Sequence, residues 1–150
     1  RKANNQSLCV RLVWHGRKLI LVPGDMEKKA LNDILKHQED ISSDVLVVPH
    51  HGGATSLHSE FYGRVSPKLA VVSCGAFNHW NMPNVKVRAE LRKQEIPLYS
   101  TSELGSLRLV WDSPDADPKL LSARPTHRGL ETLWRSNWNP IDWKTWVAED

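Results

Sequence analysis

The sequence predicts a layered α/β domain in which helices cover a mixed sheet. Three observations carry that expectation. Short apolar runs of strand length recur along the chain, at residues 19–22, 44–48 and 68–74. Between them lie segments whose apolar residues repeat at helical spacing. Alternation of this kind is the pattern of a sheet with crossover helices. The composition agrees: 150 residues, 40% hydrophobic and 25% charged, suit one folded domain and exclude disordered and fibrous classes.

Taken in order, residues 7–14 are rich in Val and Leu, and His15-Gly16 offers a tight turn before the apolar run 19–22. Two such runs around a glycine-containing turn predict a β-hairpin. Pro23-Gly24-Asp25 ends the second strand. Ala30, Leu31, Ile34 and Leu35 then fall on one helical face, which predicts an amphipathic helix over 27–37. Residues 44–48 read as a strand buried on both faces, followed by Pro49-His50-His51-Gly52-Gly53, a loop without periodicity. A short helix is expected over 59–65, a buried strand over 68–74, a polar and aromatic loop over 76–83, a basic helix over 84–95, and strands over 97–100 and 106–111. This gives a body of residues 1–112.

Beyond it, Ser113-Pro114-Asp115-Ala116-Asp117-Pro118 opens an expected linker, 113–128, because two prolines and two acids cannot join a sheet interior. Residues 129–150 are expected to form a Trp-rich helical tail. Four of the seven tryptophans lie there, at 134, 138, 143 and 146, and suit docking on the body or on a partner chain.

No apolar run approaches the roughly 18 residues that cross a bilayer, so no membrane insertion by this chain is expected and a cytoplasmic location is the default. The formal net charge is +3, with the basic surplus on residues 1–112. That permits contact with phosphate chains without demanding it. Cys9 and Cys74 sit in apolar runs and are expected as reduced thiols. The sequence opens on Arg1 without a leader, which suggests a start inside something larger.

Two loops hold groups that bind metals. Asp25 follows a strand end and a glycine, so its carboxylate can project into a crevice at the sheet edge, or it can cap the next helix. His50 and His51 follow another strand end, beside two glycines that allow close approach. Adjacent residues on an extended backbone point apart, so only one imidazole is expected to face a given site. If the two strands run parallel, Asp25 and one histidine meet at the same edge.

Asn5-Gln6-Ser7-Leu8, the hairpin, Pro23-Gly24-Asp25-Met26-Glu27, the strand into Pro49-His50-His51-Gly52, Ser73-Cys74-Gly75 and Asn78 through Pro83 occur in this order. Over about residues 4–112 the pattern resembles the C-terminal half of a metallo-β-lactamase-fold domain, of the kind in ComEC-type competence proteins. The resemblance implies half of a four-layer αββα sandwich. It further implies a hydrolase, a nuclease cleaving DNA phosphodiesters with a metal-activated water, using two divalent ions, zinc or manganese. Asp25 would bridge the two ions, and His50 or His51 would be a terminal ligand, with His50 favoured.

The chain departs from that pattern in two ways. The HxHxDH-type ligand cluster of the other half is absent, and Met82 stands where relatives often carry histidine; His79, three residues earlier, is expected as an exposed loop histidine more than as a substitute. A protein chain or precursor segment carrying the HxHxDH-type half is therefore the expected partner, forming a hetero-oligomer. Two other functions compete: a non-enzymatic binding or assembly module built from a degenerate half-domain, and hydrolysis of a small phosphoester, lactone or nucleotide.

Overall fold

The computed structural model describes residues 3–37 and 40–124. Strands β1 (Val10–Trp14) and β2 (Arg17–Val22) form the expected antiparallel hairpin. Its two turn residues, His15 (φ 46°) and Gly16 (φ 79°), are both left-handed. A turn with two positive φ values matches the right-handed twist of the flanking strands. The pairing slips by one residue between Leu12 and Val13.

Helix α1 (Lys28–Lys36) buries Ala30, Leu31 and Leu35 and leads to β3 (Val45–Val47). Helix α2 (Ser59–Val65) begins at His58, whose side chain accepts from the Phe61 amide. Strand β4 (Leu69–Val72) follows, then α3 (Val85–Lys93), where the Asn84 side chain accepts from the Lys86 amide and so satisfies one of the first-turn donors. Strand β5 (Leu98–Ser100) and the short α4 (Thr101–Leu104) complete the body. Short 3-10 turns form at Ala3–Gln6 and Ala54–Ser56, while Pro49–Gly52, expected as loop, is a tight turn through left-handed residues.

The five strands lie in the sheet in chain order, β1-β2-β3-β4-β5, and every pair after the hairpin is parallel. Sequential parallel strands with crossovers of one hand place all their helices on one face. Accordingly Leu31, Phe61, Val65, Val87 and Leu91 from the three helices share a single core with Leu21, Leu46, Ala70 and Val72 from the sheet. The mixed sheet layered with helices is the architecture the sequence predicts.

The second face of the sheet is apolar too. Side chains alternate along a strand, so Ile20 and Val22, Val45 and Val47, and Leu69 and Val71 point away from the helices. Val45 and Leu69 are buried yet stand outside the helix-side core. On the edge strand β1, Val10 and Leu12 are 41% and 55% exposed.

The strand expected at 106–111 does not join this sheet. Strand β6 (Leu107–Val110) pairs antiparallel with β7 (Lys119–Ser122) in a separate two-stranded ladder. Residues 113–118, expected as the start of a linker, are the turn of that ladder. They are bound to the body, because Arg17 Nη1 donates to the carbonyls of Pro114 (2.7 Å) and Ala116 (2.6 Å), and Lys68 pairs with Asp117. The Trp-rich tail expected at 129–150 lies outside the described residues. No helix among the described residues is long and apolar enough to cross a membrane.

Candidate functional site

Parallel strands end together, so the loops after β2, β3 and β4 converge at one edge of the sheet, where ligands of open α/β sheets gather. The loop after β2 turns at Gly24 (φ 62°) and presents Asp25. Its position is fixed from two sides. The Asp25 amide donates to Ser7 Oγ (3.1 Å), and the Gly24 carbonyl accepts from the His50 amide (3.0 Å). The Asp25 carboxylate itself is half exposed.

His50 and His51 are not extended. Both occupy the left-handed region, at φ 51° and 54°, and Gly52 continues the run at φ 73°. This backbone sends the two imidazoles to different surroundings. His51 Nδ1–H donates to the Ser73 carbonyl (2.8 Å) at the end of β4. That bond engages Nδ1 and leaves Nε2 as the nitrogen facing Asp25 Oδ1, at 3.6 Å and beyond hydrogen-bonding distance.

His50 has neither nitrogen open. Asn4 Nδ2 donates to Nε2 (3.4 Å), and Nδ1–H donates to Thr55 Oγ1 (3.0 Å), with Glu27 Oε1 3.9 Å away. The structure thus brings His51, and not the favoured His50, to Asp25. His50 instead braces the loop from behind with Asn4, Thr55 and Glu27, three residues that sequence reading did not single out. The signal was faint: Glu27 stands two residues after Asp25, and Asn4 precedes the first strand.

The loop 76–83 forms the neighbouring wall. It leaves β4 at Ser73, the residue that holds His51, and returns at Pro83 against Gly52, whose carbonyl accepts from the Asn84 amide (2.8 Å). Met82 packs against Gly53, and His79 is exposed on the loop. Cys9 and Cys74 are free and half buried; burial pushes the Cys9 thiol up, against a weaker lowering by Arg11.

Carboxylate oxygen and imidazole nitrogen are donors that zinc and manganese accept. Two donors on one tetrahedral ion lie roughly 3.3 Å apart, given bonds of about 2.0–2.1 Å. The 3.6 Å between Asp25 and His51 fits that spacing. Among the described residues no group of three His, Cys, Asp or Glu side chains could hold a metal ion, so the pair fits as part of a donor set and not as the whole.

No protein-family model matches the chain. Over about 70% of its length it is homologous to competence and recombination proteins. It is 33% identical to ComE operon protein 3 of Bacillus subtilis (strain 168) over 105 residues, 70% of this chain and 13% of that protein. It is 32% identical to Recombination protein 2 of Haemophilus influenzae over 108 residues, 72% of this chain and 14% of that protein. To Competence protein ComA of Neisseria gonorrhoeae it is 35% identical over 106 residues, 70% of this chain and 15% of that protein. The chain therefore spans about a seventh of the length of the curated relatives it matches.

Proposed function

We propose that this chain is the C-terminal half of a metallo-β-lactamase-type hydrolase that cleaves DNA phosphodiesters in the service of DNA uptake. One observation carries the reading: Asp25 and His51 sit 3.6 Å apart at adjoining parallel strand ends, with the imidazole held so that Nε2 faces the carboxylate. Competence and recombination are what the relatives' names describe, and they supply the DNA. The remaining donors belong to a second half carrying the HxHxDH-type cluster. The exposed apolar edge at Val10 and Leu12 gives that half a surface to cover, since strand edges and apolar faces are stable when covered.

In this reading Asp25 and His51 hold divalent ions, zinc or manganese, and Ser73 fixes the imidazole that does so. Such ions, when bound, supply a Lewis acid and an activated water for phosphodiester hydrolysis. His50 holds the Gly24 and Thr55 loops in place and leaves the ligand role to its neighbour. The test is metal content and cleavage of a fluorescent oligonucleotide by the chain assembled with the complementary half. Asp25→Ala and His51→Ala should each cut bound metal and lower cleavage by about 100-fold or more, while His50→Ala should act through stability. Unchanged metal content and cleavage in both of the first two variants would overturn the reading.

A second reading, a non-enzymatic assembly module, is favoured by Met82, at a position where the family resemblance implies histidine. It expects the same complex to form with no metal bound and with no effect of Asp25 or His51 on any activity.

A further inference from the structure

The loop after β4 carries a feature that a metal site does not require. Phe77 is 98% exposed and Trp80 is 74% exposed, the two most open aromatic rings among the described residues, and His79 is exposed between them. Large aromatic faces in water are unfavourable at roughly 25 cal/mol per Å² of apolar surface. This loop is nevertheless closed by its own hydrogen bonds. Asn78 Oδ1 accepts from the Met82 amide (2.7 Å), Asn78 Nδ2 donates to the carbonyls of Gly75 (2.9 Å) and Met82 (2.8 Å), and the Asn81 amide donates to the Asn78 carbonyl (3.2 Å). One asparagine thus ties the loop backbone at three points, which lowers the backbone ordering cost when something binds there.

Basic charge runs along the helix that follows the arch, with Lys86 at the arch end and Arg92 and Lys93 in the last turn, about 10 Å further along. Helix α3 starts just past Pro83 and carries Lys86, Arg88, Arg92 and Lys93 against a single acid, Glu90. Lys86, Arg92 and Lys93 are exposed, and Glu90 is engaged by Gln94 (2.7 Å). Arg88 is drawn to Glu103 (2.8 Å). Among the described residues, Val85 (73% exposed) and the small Ala76 are the exposed aliphatic side chains next in sequence to this loop or within it. Aromatic faces next to cationic side chains, with little aliphatic surface around them, match an unpaired nucleobase on a phosphate chain better than an apolar protein surface. Paired bases in a duplex hide the faces that such rings would stack on.

We propose that the 76–83 arch is a stacking platform for single-stranded nucleic acid, with Phe77 and Trp80 taking bases and the exposed cations of α3 taking phosphates. This names the substrate form for the Asp25–His51 site and rests on the reading of that site as a phosphodiester site. The arch shares Ser73 and Gly52 with the site's own walls, so a strand held there lies beside the Asp25–His51 edge.

The test is binding, measured apart from cleavage. Fluorescence anisotropy of a labelled oligothymidylate with the full 150-residue chain, in chelator, should show binding that weakens about 5- to 100-fold in Phe77→Ala and in Trp80→Ala. Trp80→Phe should restore most of the affinity. An oligonucleotide with abasic sites should bind the unmodified chain as weakly as the intact oligonucleotide binds the Phe77→Ala/Trp80→Ala double variant. Both side chains are exposed, so these substitutions leave the fold intact. Equal binding by variant and unmodified chain would sink the proposal, as would duplex bound as tightly as single strand. Ring-dependent binding to anionic lipid vesicles with none to the oligonucleotide would also sink it, by assigning the rings to a membrane surface. Stacking without cleavage by the assembled complex would defeat the hydrolase reading and leave this one standing. Cleavage that ignores both rings would do the reverse.

Discussion

Gly52 stands where a side chain has no room. A Cβ there would lie 2.6 Å from Pro83 Cβ, on a ring that cannot swing aside, and the backbone sits at φ 73°. Left-handed strain and forced repacking together predict that Gly52→Ala costs about 2–4 kcal/mol, to be read from urea unfolding. Another single residue sets a pH response. Buried His58 accepts from the Phe61 amide and donates from Nε2 to Asn32 Oδ1 (2.8 Å), and desolvation holds its pKa below the usual 6.5. Its folded pKa is depressed, so the folded protein takes up a proton less readily than the unfolded chain. Stability from this group is full above about pH 6.5 and declines as pH falls through the lower folded value. His58→Ala should lower stability by about 1 kcal/mol through the lost helix cap and flatten this slope, checked by urea melts at pH 7.5 and 5.5. At this scale the sequence was legible in part. Asp25 and the histidine pair stand out by residue type and strand-end position. Which imidazole faces Asp25 depends on consecutive left-handed residues, a conformation that non-glycine residues seldom adopt and that no local pattern announces.

Among the elements, the hairpin, α1 and α2 follow from apolar spacing and turn residues, and α2 spans 59–65 as expected. Strand β7 was not legible, because Lys119–Ser122 is short, follows a proline, and owes its form to pairing with β6. The turn of that ladder is fastened by charge. Arg17 Nε donates to Asp44 (2.5 Å), and Lys68 lies between Asp44 and Asp117. These partners raise the Arg17 and Lys68 pKa values and lower that of Asp117, so those three groups stay ionised through the neutral range. Arg17→Met should leave the five-stranded sheet folded and release the 113–118 turn. Limited proteolysis within 113–118, and faster amide exchange in β7 than in β4, would register the release; unchanged protection would show that apolar packing alone holds the ladder.

For the whole molecule, one sheet has two apolar faces and helices on only one of them. The alternation of strands and helices made the helix-covered face legible; the second apolar face, exposed at its β1 edge, emerges only once β2 through β5 are known to be parallel and in chain order. The expected outcome is self-association of the isolated chain at micromolar concentration in sedimentation velocity, driven by Val10, Leu12 and the strands beside them. Val10→Lys with Leu12→Lys should reduce it, since charge on an edge strand opposes edge pairing. Assembly with a complementary half should reduce it as well. Strand order has a further consequence, for synthesis. Each strand pairs with the one made just before it, so a chain emerging from the ribosome never waits for a distant partner. The hairpin can close first, within microseconds, and β3, β4 and β5 then add in turn, each carried in by the helix that precedes it. A nascent chain stalled with Val72 clear of the tunnel has every residue of β1 through β4 available to pair in sheet order, while Val87 and Leu91 of the core are still to come.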